Sequence, residues 1–183
     1  MLPLFEAKMI HLFDTRWATY EPDGSTRLMT EEEKAERLNP MPRYWVAEGE
    51  IDKKLNGRWD QNWFLGWRRI ARSTDERTLI ANRLPRVALG DSIFVALAST
   101  SLDGSAGLQA CLGSYVSDFI LRQKMGGTNA SFFLLEQFVA MFLVAGIEGL
   151  RTVGEAIERR HRKIEVTFVD QARHLPVEKR DQQ

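Results

Sequence analysis

The sequence has little of what extracellular domains and metal centres depend on. One cysteine, Cys111, occurs in 183 residues, so the chain has no internal disulfide and cannot complete a cysteine-based zinc site. The three histidines, at positions 11, 161 and 174, do not have the spacing of a helical zinc motif. We therefore expect an intracellular protein without a bound metal.

Long hydrophobic runs are also missing. The longest apolar run is FVAMFLVAGI, residues 138–147, whereas a membrane-spanning helix needs about 20 predominantly apolar residues. We expect this run to form a buried helix and the protein to have no membrane partner. The first residues, MLPLFEAKMIHLFD, lack the basic stretch, apolar core and cleavage site of a signal peptide. These features predict a cytoplasmic location.

The common enzyme signatures are absent too, including G-x-G-x-x-G, the phosphate loop and G-x-S-x-G. One near miss is the segment Asn39-Pro40-Met41-Pro42-Arg43-Tyr44. Amino-methylating DNA methyltransferases use an Asn or Asp, two consecutive prolines and an aromatic residue that stacks on the flipped base. Here Met41 separates the prolines and Arg43 displaces the aromatic residue. We interpret the segment as a proline-stiffened linker, although an enzyme of unrecognised type remains an alternative.

Charge is plentiful but unevenly distributed. The 25 basic and 25 acidic side chains cancel, yet residues 21–36 hold six acids and two bases, which predicts an exposed loop and a short solvated helix. Residues 43–86 hold ten bases and six acids, and six arginines lie within residues 66–86. A neutral total therefore conceals a basic strip.

The residue pattern predicts an α+β fold, with a small mixed sheet of short strands packed against two or more helices. Strands are expected at 62–72, 78–81 and 92–98, with a turn at 73–76. In the first strand, Arg68 and Arg72 share one face and Arg69 lies on the other, so no register buries all three.

Apolar residues recur every three or four positions from 108 to 123, which predicts one helix ending at Gly126–Gly127, with a second helix near Phe132. The expected buried face is Leu108, Cys111, Leu112, Tyr115, Val116 and Phe119. We also expect Trp63 and Trp67, together with Tyr115 and Phe119, to lie in the core.

The character of the chain changes after residue 138. A charged helix from residue 154, a strand-like alternating segment and the polar, frayed end HLPVEKRDQQ are expected there. We therefore divide the chain into a domain over 1–138 and a divergent helical C-terminal extension with a frayed tail over 139–183.

Arginines and tryptophans alternate along residues 58–72. Guanidinium groups contact phosphates and guanine edges, and aromatic faces stack on unpaired bases, so this mixture suits a nucleic-acid surface. The alternative is that the tryptophans are core residues and the arginines pair with carboxylates such as Asp75 and Glu76.

Four segments occur in a specific order: PLFEAKMIHLFDTRWATY, RYWVAEGEID, WFLGWRRIARSTDERTLIANRLPRVALGD and LGSYVSDFILRQKMGGTNASFFLLEQF. The third carries Arg69 or Arg72, Thr74 and Arg77-Thr78, with Pro85 further on. The fourth carries Ser114, Asp118, Arg122 and Lys124 before the loop Gly126 to Asn129. This order, over Leu2 to Phe138, resembles the C-terminal part of adenine-specific DNA methyltransferases of type IIG restriction-modification enzymes and related phage-defence methylases. After Gln137-Phe138 the chain departs from that pattern, where relatives continue through a proline-rich turn.

The resemblance implies a target-recognition domain over 1–138 that docks on double-stranded DNA and is not catalytic on its own. S-adenosylmethionine and the Asn-Pro-Pro-aromatic loop would belong to an upstream catalytic part or a separate methyltransferase catalytic subunit, so no cofactor is expected in this chain. The residues expected to contact DNA are Arg68, Arg69, Arg72, Arg77, Lys124, Thr128 and Asn129.

Other interpretations remain open for these residues and for the chain. The arginines can serve internal ion pairs, and the Lys124–Asn129 segment can serve only as a helix cap. The chain can also be a protein–protein interaction subunit that docks through residues 132–150, or a degenerate gene remnant without independent activity.

Overall fold

The computed structural model describes residues 1–98, 102–137, 166–169 and 178–179. The protein has an α+β fold in which short strands form two four-stranded sheets and one two-stranded sheet. The strands are β1 Leu2–Phe5, β2 Ala18–Tyr20, β3 Thr26–Leu28, β4 Tyr44–Val46, β5 Trp63–Arg68, β6 Ala81–Pro85, β7 Ala88–Leu89, β8 Ile93–Ala98, β9 Val166–Val169 and β10 Glu178–Lys179. The helices are α1 Glu31–Ala35, α2 Glu48–Leu55, α3 Leu102–Leu112 and α4 Tyr115–Lys124, with a 3-10 turn at Ala7–Met9 and helical residues at 132–137.

The central sheet has the order β6-β5-β8-β9, and all of its neighbouring strands are antiparallel. Leu65 in β5 lies opposite Arg83 of β6 and Ala96 of β8. The other large sheet has the order β10-β4-β1-β7, with β1 and β7 parallel. Strands β2 and β3 form a separate antiparallel pair.

The central sheet separates two hydrophobic cores, because successive side chains of a strand point to opposite faces. Phe64 belongs to the first core, with residues of β1, α2 and β7. Leu65 and Trp67 belong to the second core, with residues of α3, α4 and the helical turns at 132–137. The second core therefore joins the arginine-bearing strand β5 to helix α4.

Several expected elements are confirmed. Strands β5 and β8 lie within the expected segments, α1 has no buried residue, and α4 ends just before Gly126–Gly127. The strand expected at 78–81 is wrong: the strand of this region is β6, which ends at Pro85 on the edge of the sheet, where a proline is tolerated.

The expectation of one helix over 108–123 is also wrong. The segment forms two helices, because Ser114 caps α4 by accepting a hydrogen bond from the Ser117 amide at 3.2 Å. The break shifts the helical phase, so Ser117, Asp118 and Leu121 are buried, whereas Tyr115, Val116 and Phe119 of the expected buried face are exposed. Cys111 is exposed as well.

Two short strands lie in the expected C-terminal extension. β9 pairs with β8 in the central sheet, at the segment expected to be strand-like. β10 pairs with β4. The expectation of a frayed end is therefore wrong at Glu178 and Lys179, which form a strand. The charged helix from residue 154 and the apolar run 138–147 lie outside the described residues. Within the part of the chain that the structure describes, no helix has the length and apolarity needed to cross a membrane.

Candidate nucleic-acid interface

The structure joins two groups of candidate residues that lie nearly sixty positions apart in the sequence. Just beyond β5, Ile70 forms an isolated antiparallel bridge with Asn129. The Ala71 amide donates to the Thr128 carbonyl at 3.2 Å, and the Ala130 amide donates to the Arg69 carbonyl at 2.8 Å. The strand end and the glycine loop after α4 therefore form one surface.

We call this the junction surface, and it consists of Arg69, Ile70, Arg72, Lys124, Thr128 and Asn129. The side chains of Arg72, Lys124, Thr128 and Asn129 are exposed, and Ile70 is 54% exposed. The Arg72 side chain makes no hydrogen bond or ion pair with any described residue, whereas the Lys124 ammonium donates to Gln137 Oε1 at 2.6 Å. Added side chains at Gly126 and Gly127 would meet no neighbouring atom within 4 Å. The junction surface is therefore not covered by neighbouring atoms at these two glycines.

Arg69 is partly engaged. Its guanidinium pairs with Asp91 Oδ2 at 2.5 Å and lies 5.5 Å from the centre of the Phe94 ring. Because Asp91 is 66% exposed, the pair is of the solvent-accessible kind that contributes about 0–1 kcal/mol. The Arg69 side chain is itself 28% exposed, so part of its guanidinium remains accessible to solvent.

Arg68 points into the fold. It leaves the opposite face of β5 from Trp67, and its Nε donates to the Ile10 carbonyl at 3.2 Å. Burial lowers the pKa of this guanidinium from its ordinary value, and its nearest partner is a neutral carbonyl. Arg68 thus ties β5 to the N-terminal segment.

Arg77 is also internal, with a side chain only 10% exposed. It donates to the Gly113 carbonyl, lies over the Tyr115 ring at 4.5 Å, and approaches Asp118 Oδ1 to 4.0 Å. Arg77 therefore stabilises the junction between α3 and α4. Among the described residues, the arginines of residues 66–86 form no ion pair with Asp75 or Glu76; their acidic partners are Asp52, Asp91 and Asp118.

Helix α4 holds the turn at 73–76 from one side through the ion pair of Asp118, which is buried, and Arg122, whose side chain is 26% exposed. Asp118 Oδ1 accepts from the Thr78 and Leu79 amides, both at 2.7 Å, and Asp118 Oδ2 accepts from Arg122 Nε at 2.7 Å. The rest of the Arg122 guanidinium donates to carbonyls of the turn. Hydrophobic periodicity does not reveal this function, because Asp118 is a buried polar residue whose amide partners are 39 and 40 positions away.

The outer face of α4 carries three exposed apolar side chains, which we call the α4 strip: Tyr115 at 83%, Val116 at 63% and Phe119 at 61%. The expectation that Tyr115 and Phe119 lie in the core is wrong. Trp67 is buried, as expected, and donates its indole N–H to the Ala130 carbonyl at 3.0 Å. Trp63 is half-buried and packs against the second core.

The segment Asn39–Tyr44 is used by the fold. The Met41 amide donates to Thr19 Oγ1 at 2.8 Å, and the Met41 carbonyl accepts from the Tyr20 amide at 3.0 Å. These bonds hold the segment against β2, in agreement with a structural linker. Within the described ranges, no group of three or more His, Cys, Asp or Glu side chains is placed to hold a metal ion. No family model, curated protein or solved structure matches the chain.

Proposed function

We propose that the chain binds double-stranded DNA as the target-recognition module of an adenine-specific DNA methyltransferase, within a cytoplasmic restriction-modification or phage-defence system. The observation that carries the proposal is the bridge between Ile70 and Asn129. It brings the chain just before Arg72 next to the loop that follows Lys124, although the sequence separates these segments widely.

The chemistry of the junction surface suits a polyanion with base edges. Arg72 and Lys124 supply charge for phosphates, and the Asn129 amide has the donor and acceptor needed for an adenine edge. The glycines before Thr128 allow a backbone to approach the duplex closely. Arg68 and Arg77 have internal partners, so the proposal depends on the other five candidate residues.

S-adenosylmethionine does not fit the part of the chain that the structure describes. Open α/β folds bind nucleotide-like cofactors at the carboxyl ends of parallel strands, and the described strands contain a single parallel pair, β1 with β7. The backbone of the near-miss segment Asn39–Tyr44 is hydrogen-bonded to β2 through Met41. A separate catalytic subunit would supply the cofactor and the methyl transfer.

The proposal is tested by fluorescence anisotropy of the purified chain on a random-sequence duplex over a range of salt concentrations. We expect the affinity to fall steeply with salt, with a log–log slope on the order of 3, because each neutralised phosphate releases counterions. A folded chain that does not bind duplex DNA at low salt would overturn the proposal.

Matched variants localise the binding. Lys124→Gln removes a charge from the junction surface and is expected to reduce the salt slope by about one. Lys53→Gln removes a charge from α2, where the ammonium pairs with Glu50, and is expected to leave the slope unchanged. Equal effects of the two substitutions would indicate nonspecific attraction rather than a site.

The α4 strip favours a second candidate, a protein-interaction subunit. Three large apolar side chains on one helical face, each more than 60% exposed, are typical of a protein contact. Sedimentation of the wild-type chain and of a Tyr115→Ser/Phe119→Ser variant, each alone and with a methyltransferase catalytic subunit, tests this candidate. Association that the variant loses supports it, and monomeric behaviour in both mixtures contradicts it.

A further inference from the structure

We infer that Asp118 and Arg122 act as one clamp that presents Arg72 to DNA by fixing the turn at residues 72–78. The inference rests on the proposed function and adds to it two positioning residues that do not touch DNA. Asp118 accepts hydrogen bonds from amides at the C-terminal end of this segment, and Arg122 donates hydrogen bonds to its carbonyls.

The carboxylate holds the C-terminal end of the segment. Asp118 is 4% exposed, and its Oδ1 accepts from two consecutive amides, those of Thr78 and Leu79, at 2.7 Å each. Thr78 in turn donates its hydroxyl to the Arg72 carbonyl at 2.9 Å. The carboxylate is therefore connected to Arg72 through a single residue.

The guanidinium holds the middle of the segment. Arg122 Nη1 donates to the Ser73 carbonyl at 2.9 Å, and Nη2 donates to the Asp75 and Glu76 carbonyls at 2.6 Å each. Its Nε remains bonded to Asp118 at 2.7 Å. Only the planar, five-donor fork of arginine can reach a carboxylate and three carbonyls together, so lysine is not an equivalent residue.

The turn needs such a clamp because it lacks hydrophobic anchors. All side chains from Arg72 to Glu76 are exposed. The local restraints within the turn are the Asp75 side chain, which accepts from the Arg72 amide at 2.9 Å, and the Asp75 amide, which donates to the Arg72 carbonyl at 3.1 Å. Fixing a residue's backbone costs about 1–2 kcal/mol. A turn that is already fixed in the free protein does not pay this cost on binding, which favours affinity.

The same helix also supports the other half of the junction surface. Helix α4 contains both clamp residues and Lys124, and the loop that follows it reaches Thr128 and Asn129. The clamp therefore fixes Arg72 relative to these residues as well as within its own turn.

A double-mutant cycle with Arg122→Gln and Arg72→Ala tests the inference, with duplex affinity as the readout. If Arg122 acts through Arg72, Arg122→Gln weakens binding on the order of tenfold in the wild-type background and has little effect in the Arg72→Ala background. Arg122→Lys should not restore affinity. Gln123→Ala, an exposed neighbour on α4, is the control and should bind as the wild type does.

Hydrogen exchange provides a readout that does not require DNA. We expect the Thr78 and Leu79 amides to exchange faster in Arg122→Gln, while amides of β5 keep their protection. Unchanged exchange, or an equal loss of affinity in both backgrounds, overturns the clamp. If the wild-type chain fails to bind duplex DNA, the proposed function is overturned instead. Asp118 and Arg122 then have no role in presenting Arg72 to DNA.

Discussion

Arg68 and Arg77 differ from Arg72, which lies between them in the sequence. The two outer residues turn inward and donate to the carbonyls of Ile10 and Gly113, whereas Arg72 is exposed and has no side-chain hydrogen bond or ion pair among the described residues. Arginine density along the chain is therefore a poor measure of binding potential. The position of each guanidinium decides whether its loss affects folding or binding, and substitutions can separate the two effects.

The largest expected effect is on folding, at Asp118, the buried carboxylate that Arg77 and Arg122 contact. Asp118→Ala leaves two amides and the charges of Arg77 and Arg122 without their buried acceptor, so we expect unfolding to become easier by about 3–5 kcal/mol. Chemical denaturation followed by tryptophan fluorescence measures this change. Asp91→Ala removes an exposed carboxylate that also pairs with an arginine, and is expected to cost at most about 1 kcal/mol. Similar losses in the two variants would contradict the internal assignment.

Arg68→Met tests an inward arginine directly. The substitution keeps much of the aliphatic volume but leaves the Ile10 carbonyl without its donor, so we expect a stability loss of about 1–3 kcal/mol. Duplex affinity, measured by anisotropy where the variant is folded, should be unchanged. Weaker binding without a loss of stability would place Arg68 in the binding site.

Arg72→Ala is expected to show the opposite behaviour. An exposed side chain without internal partners contributes little to folding, so the free energy of unfolding should change by less than about 0.5 kcal/mol. Duplex affinity should fall and the salt slope should decrease by about one, because one phosphate contact is lost. A destabilised variant with normal affinity would mean that Arg72 also serves the fold.

The smallest expected effect depends on pH. Burial, followed by the charges of Arg68 and Arg77, lowers the pKa of His11 below its ordinary 6.5, while Glu76 and Asp14 oppose the shift. The unfolded chain then binds a proton more readily than the folded chain, so stability should fall as the pH drops from about 8 to about 5.

Denaturation of the wild type, His11→Gln and Arg68→Met over this pH range measures the effect. The wild-type chain should lose more stability than His11→Gln, and Arg68→Met should show a smaller difference because one repelling charge is gone. Arg72→Ala should keep the wild-type dependence. An identical pH dependence in wild type and His11→Gln would exclude His11 as the cause.

Much of the fold follows from local sequence signals. Aromatic and β-branched residues predicted β5 and β8, and two glycines predicted the end of α4. The break between α3 and α4 also has a local signal, since Gly113-Ser114 combines a flexible residue with a good N-cap. Apolar periodicity alone continues across this break and therefore predicts, wrongly, that Tyr115 and Phe119 lie in the core.

The site was harder to predict because its geometry depends on contacts between distant segments. The seven candidate residues came from a family resemblance, and the bridge from Ile70 to Asn129 follows from how the sheet and α4 pack. Asp118 was visible as a motif residue, but its partners at 78 and 79 were not. No local rule distinguishes the inward Arg77 from the outward Arg72, because their surroundings are set by α4.

Hydrogen exchange of the wild-type chain with and without saturating duplex DNA tests the junction surface most directly. We expect slower exchange at residues 72–76 and 126–129 on addition of DNA, with the β2–β3 pair unchanged. Protection confined to other parts of the chain, or no change under conditions where DNA is bound, would contradict it.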